Sequence, residues 1–294
     1  MEMNNETTVD EVVLYDYPFS YNCQIVRLVL CEKGLPGKTV RVDIGPMMEQ
    51  FKPSFMRLNP SGQVPVLQHG NRVVTQTLEI LHYLDRCLPG TRLTPSATEN
   101  RAAMEKWVAM ERAFPEADFT YGLLEQGSGK IVTRDMEHRK RLIEKYMAVN
   151  PDLADCYKLK LDAVTDWQMR LRDPDLVDRL INQINKMLDE LEKQVAGRDF
   201  IVTENYTLAD AVWTVFLARL EMVGFKRMWS FGVRPNIEEY YIRMKQRPSF
   251  AYAPIYLKSS SWLVIGSAIK AFRLQICLSL GIGLLALLSV FGLF

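Results

Sequence analysis

Asn59-Pro60-Ser61-Gly62-Gln63-Val64-Pro65-Val66-Leu67 is the stretch on which the fold turns. Asn59 to Gly62 has the residues of a helix exit and turn, and Val66-Leu67 those of a short apolar strand. Pro65 lies between them. Proline lacks a backbone donor and does not belong inside a central strand, so it stands at the strand's very start. A cis Val64-Pro65 bond in a tight turn reconciles the two; an ordinary loop proline is the plainer alternative. In the cis reading the N–H and C=O of Val64 face outward, open to whatever binds there.

On the N-terminal side, Val12 to Tyr17 is a β-type run ended by Pro18. Ser20 to Cys23 opens an amphipathic helix that runs to about Lys33, with Gly34 as its terminator. Thr39 to Ile44 alternates as a second strand, and Met47 to Leu58 is a short helical stretch interrupted by Pro53. Pro65 to Leu67 and Arg72 to Thr75 flank a hairpin turn at Gly70-Asn71, and Gln76 to Leu88 is a helix. The order strand–helix–strand–helix–strand–strand–helix is an α/β thioredoxin-like plan, assigned to residues 10–90.

Past Pro89-Gly90 the strand signals stop. Ala97 to Phe114 is helical. Gly127 and Gly129 mark Phe119 to Thr133 as a flexible connection, and Arg134 to Met147 and Pro151 to Arg172 are long and highly charged. Asp173-Pro174 reads as a helix start. From Val177 to Leu191 apolar residues recur every three or four positions. Thr207-Leu208-Ala209-Asp210 has capping-box spacing, with Asp in place of Glu, ahead of a helix Ala211 to Val223. A last helix spans Asn236 to Lys245. Residues 96–250 are therefore an all-α domain, with a charged helical insertion over about 116–172.

Lys+Arg 36 against Asp+Glu 35 gives a net charge of +1 in 294 residues, which argues against a nucleic-acid partner. Five cysteines and three histidines show no metal-ligand spacing, so no metal is expected. The polar, acidic start Met1-Glu2-Met3-Asn4-Asn5-Glu6 is unlike a secretory signal. Ile276 to Phe294 carries no charge, and Lys258, Lys270 and Arg273 precede it. A helix of that length covers roughly 28 Å, close to the hydrocarbon core of a bilayer. The expectation is a C-terminal transmembrane helix at 274–294, a tail anchor with the body in the cytosol.

Ser20 with Val26-Arg27, the segment Asn59 to Leu67, Gln76-Thr77, and Thr207 to Asp210 together resemble the glutathione transferase superfamily over roughly residues 12–250. Asn150-Pro151-Asp152-Leu153, Leu208 to Val212 and Arg234-Pro235-Asn236 look like its ganglioside-induced differentiation-associated protein branch; a plant tetrachlorohydroquinone-dehalogenase-like class is the rival. The resemblance implies glutathione as substrate, a hydrophobic electrophile, and a homodimer. It favours the mitochondrial outer membrane, with endoplasmic reticulum as the alternative. Where the family usually has an acidic residue and serine, this chain has Gln76-Thr77, which retain hydrogen-bonding groups.

Glutathione is a flexible, doubly anionic tripeptide with a thiol pKa near 8.5. Its site must hold a peptide backbone, anchor a carboxylate and favour thiolate. Gln63, Val64 and Pro65 suit the first task, Val64 by pairing its main chain as an added strand would. Gln76 and Thr77 open a helix whose free N–H groups attract a carboxylate, although Thr77 could equally serve as a cap. Lys52 is a further anion partner, or else a solvated lysine. Ser20 aligns with the family's thiolate-stabilising position; it could instead merely cap its helix. Cys23, Tyr15 and Tyr17 read as core residues, and Trp107, Met110 and Phe114 as an apolar acceptor pocket. Two functions follow: a membrane-anchored transferase conjugating glutathione to electrophiles or reducing peroxides, or a non-catalytic anchored adaptor in organelle membrane dynamics.

Overall fold

The structure, a computed structural model, describes residues 11–256 apart from Pro36 and residues 129–130. Its first half is a four-stranded sheet in the order β2-β1-β3-β4, formed by β1 (Val12–Asp16), β2 (Lys38–Arg41), β3 (Val66–His69) and β4 (Arg72–Val74). β1 and β2 are parallel and connected through α1 (Tyr21–Glu32), while β3 runs antiparallel to both its neighbours. Between β2 and β3 a 3-10 turn (Glu49–Phe51) leads into α2 (Pro53–Leu58), with Pro53 at the first helical turn where its missing N–H costs nothing. Val64-Pro65 is cis. After β4 comes α3 (Thr77–Cys87), which packs against α1.

The second half is helical: α4 (Thr98–Arg112), α5 (Glu116–Ser128), α6 (Ile131–Val149), α7 (Ala154–Leu171), α8 (Leu176–Gln194), α9 (Leu208–Met222), α10 (Pro235–Gln246) and α11 (Pro248–Tyr252). α9 is buried on every side from Leu208 to Leu220, as a helix apolar all round must be. It packs against α4 and α1 and so joins the two halves through one core. The capping box at its start is present: the Thr207 N–H donates to Asp210 Oδ2 at 2.8 Å. Ile201 N–H and the Tyr240 hydroxyl donate to Asp210 Oδ1 at 2.9 and 3.1 Å, binding α10 to that cap. A second, smaller apolar cluster of Tyr17, Cys23, Val42, Phe55, Val64 and Val66 lies apart from the main core.

Three expectations are corrected. The stretch 119–133 is not a flexible connection, since α5 and α6 cover all of it except residues 129–130. Gly122 is a contact residue there: a Cβ would come within 2.9 Å of Val177 Cγ2, so its missing side chain lets α5 approach α8. α8 begins at Leu176, two residues past the expected Pro174. Asp173 accepts the N–H of Asp175 at 3.0 Å and pairs with Arg179 at 2.7 Å, forming a turn ahead of the helix. Finally, among the described residues no helix is long and apolar enough to cross a membrane. The longest, α6 and α8, carry charges throughout, which hydrocarbon does not tolerate. The transmembrane helix expected at 274–294 lies outside the described residues. The tail anchor and the membrane address built on it therefore have no support in the structure and are withdrawn.

Candidate active site

Strand register gathers four separate stretches at one end of the sheet. Asp16, the last residue of β1, pairs with Arg41, the last of β2. Tyr15 pairs with Val66 at the start of β3, and Leu67 with Val74 at the end of β4. Since β3 runs opposite to the other strands, the Ser20 turn, the 42–52 loop, Val64-Pro65 and the Gln76-Thr77 helix start all emerge on this edge. Ser20, Lys52, Val64, Pro65, Gln76 and Thr77 all belong to these stretches, and Gln63 directly precedes Val64.

The Ser20 turn is held from several directions. Ser20 N–H bonds to the Tyr17 carbonyl at 3.0 Å, and Ser20 Oγ caps α1 by accepting Cys23 N–H at 3.4 Å. Accepting leaves the hydroxyl proton available for another partner. Arg27, buried on α1, forms an ion pair with Asp16 and donates to the carbonyls of Pro18 and Pro254, both at 2.8 Å. From α9, Arg219 donates to the Phe19 carbonyl at 2.7 Å and pairs with Glu116 at 3.4 Å. Two guanidiniums thus fix consecutive carbonyls just ahead of Ser20, one from each half of the protein. Tyr256 lies on the Phe19 ring, 4.7 Å between centroids.

The Asn59–Pro65 loop is fixed by its own asparagine. Asn59 Oδ1 accepts the N–H and hydroxyl of Ser61, and its Nδ2 donates to the Gln63 carbonyl at 2.7 Å. Gly62 takes φ +57, a left-handed conformation that favours glycine, and its N–H closes the turn on the Asn59 carbonyl at 2.9 Å. Gln63 is exposed, whereas Val64 and Pro65 are buried. Gln76 is the N-cap of α3 with extended backbone, and neither it nor Thr77 caps through its side chain. Thr77 is buried as the first helical residue, so capping does not explain it. Lys52 is not a free cation: it pairs with Glu49 at 2.9 Å.

Titration separates the other candidates. Burial, with Asp16 nearby, pushes the Cys23 thiol up, and the side chain has no exposure; it is no thiolate nucleophile. Burial and then Asp43 push Tyr17 up to about 12, so its hydroxyl stays protonated. Tyr15 bonds Gln68 Oε1 at 3.1 Å and meets the edge of Phe55. Trp107 packs against Trp213, whose indole N–H donates to its carbonyl at 3.0 Å, and Phe114 packs against Phe119 and Phe216. These two serve the core rather than a pocket, leaving Met110 half-buried. Sequence reasoning also passed over Glu111. It accepts the Tyr21 hydroxyl beside the Ser20 turn, and burial brings it up to about 7. A charge four residues after Trp107 and three after Val108, and so on the apolar face of α4, was the available signal.

Residues 19–87 match the family model of the glutathione S-transferase N-terminal domain, and residues 174–243 that of the C-terminal domain. The chain is 35% identical over 248 residues to the tetrachloro-p-hydroquinone reductive dehalogenase of Sphingobium chlorophenolicum, covering 83% of this chain and 96% of that one. The chain belongs to the glutathione S-transferase family. It is 30% identical to glutathione S-transferase TCHQD of Arabidopsis thaliana, over 81% of this chain and 87% of the relative. Against ganglioside-induced differentiation-associated protein 1-like 1 of Homo sapiens it is 25% identical, with coverages of 90% and 79%. Both branches that the sequence resembles are thus among its relatives. α4 to α7 fall between the two matched segments.

Proposed function

We propose that this transferase-family chain binds glutathione at the gathered edge of the sheet and activates its thiol for attack on an electrophile. Val64 pairs with the cysteinyl backbone, with Gln63 and Pro65 shaping the turn that presents it. The γ-glutamyl carboxylate sits on the N-terminus of α3, against Gln76 and Thr77. Lys52, although paired with Glu49, adds positive charge to the loop beside the site. Ser20 donates its hydroxyl proton to the sulfur and favours thiolate at neutral pH. The thiolate then forms a C–S bond as the leaving group departs with its electron pair, or attacks a peroxide oxygen, forming an S–O bond as the O–O bond breaks and the alkoxide leaves with the electron pair to be protonated to the alcohol. The dehalogenase among the relatives makes a halogenated aromatic ring the acceptor to test first.

The observation that carries this reading is the strand register that puts the Ser20 turn, Val64 and the start of α3 on one edge. Ser20→Ala tests it. Glutathione affinity should hardly change, while thiolate absorbance of the bound ligand should titrate at higher pH and turnover at neutral pH should fall. An unshifted thiol in the variant would remove Ser20 from the mechanism.

A further inference from the structure

α6 and α7 bring two cations together near Phe51, and only one of them has an acidic partner among the described residues. Arg139 is buried and bonds to Asp135 at 2.6 Å. Lys160 is half-buried, and no carboxylate or hydrogen-bond acceptor among the described residues meets its amine. The amine lies 5.7 Å from the centre of the Phe51 ring, and Arg139 is close enough to repel it. Burial and that repulsion bring Lys160 down to about 8. A desolvated cation beside a second one is an unfavourable arrangement unless an anion completes it.

The surroundings tie this pair to the proposed site. Phe51 directly precedes Lys52 in the loop after β2, and its carbonyl accepts the Tyr157 hydroxyl at 2.8 Å, fixing α7 against that loop. Phe51 Cδ1 also lies within 3.4 Å of the Cβ position at Gly62, in the turn leading to Val64. On the other side Tyr121 stands beside Arg139 and within electrostatic reach of Tyr17, three residues before Ser20. Trp167 packs on Tyr121 with centroids 4.7 Å apart. Lys52 is already occupied by Glu49, so Lys160 is the unengaged cation next to that loop.

We propose that Lys160, supported by Arg139, is a binding site for a carboxylate-class anion. Two sources share this chemistry: the glycyl carboxylate of glutathione, or an acidic group on an aromatic acceptor. Only the first rests on the transferase reading.

The test uses the full chain, with Lys160→Met, which keeps the aliphatic stem, and Lys160→Arg, which keeps the charge. Calorimetry would compare glutathione with its glycyl ethyl ester, and 4-chloro-3-nitrobenzoate with the matching benzamide. Removing a charge-assisted contact weakens binding roughly tenfold to hundredfold. If Lys160→Met weakens glutathione by that factor and spares the ester, the anion is the glycyl carboxylate. If it weakens the benzoate and spares glutathione and the benzamide, the anion belongs to the acceptor. Lys160→Arg should restore whichever contact is lost. Should the wild type bind no glutathione, the transferase reading fails, and the benzoate–benzamide comparison decides the anion site alone. The proposal is overturned if Lys160→Met leaves every ligand unchanged, or weakens charged and neutral members of each pair equally.

Discussion

Arg219→Met breaks the contact by which the helical half holds the Ser20 turn. Arg219 is buried, donating to the Phe19 carbonyl at 2.7 Å and facing Glu116 at 3.4 Å. A hydrogen bond from a charged group is worth about 1.5–3 kcal/mol. The substitution also strands a largely buried carboxylate, which raises the expected loss to about 3 kcal/mol. Glu116 keeps the Thr120 hydroxyl as a donor at 2.6 Å, so the loss should stay near the lower end of the range for broken buried pairs. Replacing Glu116 with Gln in the same chain relieves the stranded charge and should recover about 1 kcal/mol. Urea unfolding of wild type, both single variants and the double variant measures that coupling. In parallel, the loosened turn should lower kcat while glutathione affinity changes little. A loss under about 0.5 kcal/mol, or strictly additive single variants, would refute the clamp.

Glu111 supplies a pH dependence. Its carboxyl is raised from 4.5 to about 7 by burial, outweighing Arg112 and the Tyr21 hydrogen bond. Between those values the folded protein holds a proton that the unfolded chain releases. Its stabilisation is therefore complete below the unfolded pKa and is lost as pH rises through about 7, with a slope of up to about 1.4 kcal/mol per pH unit. Urea midpoints of Glu111→Gln should lack this slope, and an identical pH profile would dismiss the protonated carboxyl. Gly122→Ala gains about 1 kcal/mol of helix propensity but overpacks the Val177 methyl at 2.9 Å, at a cost of about 1–3 kcal/mol. A net destabilisation in thermal unfolding, relieved by adding Val177→Ala, is expected; a stabilised single variant would contradict the close crossing.

The first half was legible because its signals are local. Val12 to Tyr17, Pro65 and the Gly70-Asn71 turn each specify backbone geometry within a few residues, and the order of elements follows. The 3.6-residue period of α8 and the Thr207–Asp210 box were equally local. α5 was not legible because Gly127 and Gly129 look like helix breakers, whereas Gly127 stands inside the helix and the chain is held there by packing such as that of Gly122 on Val177, 55 positions further along. The hold of Arg219 on Phe19 spans 200 positions and leaves no pattern in the sequence. Lys160 escaped notice for a related reason: on a highly charged helix nothing in the sequence sets it apart from Lys158, two positions before it. The membrane expectation rested on the length of an uncharged run and its basic flank, in a stretch outside the described residues.

Glutathione binding to the full chain tests the central claim most directly. Isothermal calorimetry of the wild type should show saturable binding with a Kd at or below about 1 mM, equivalent to about −4 kcal/mol. Thr77→Val keeps the side-chain shape but removes a hydroxyl at the buried start of α3. It should weaken that binding roughly tenfold to hundredfold. No binding heat at about 10 mM glutathione, well above that Kd, or a Thr77→Val variant that binds as the wild type does, would contradict a glutathione site on this edge of the sheet.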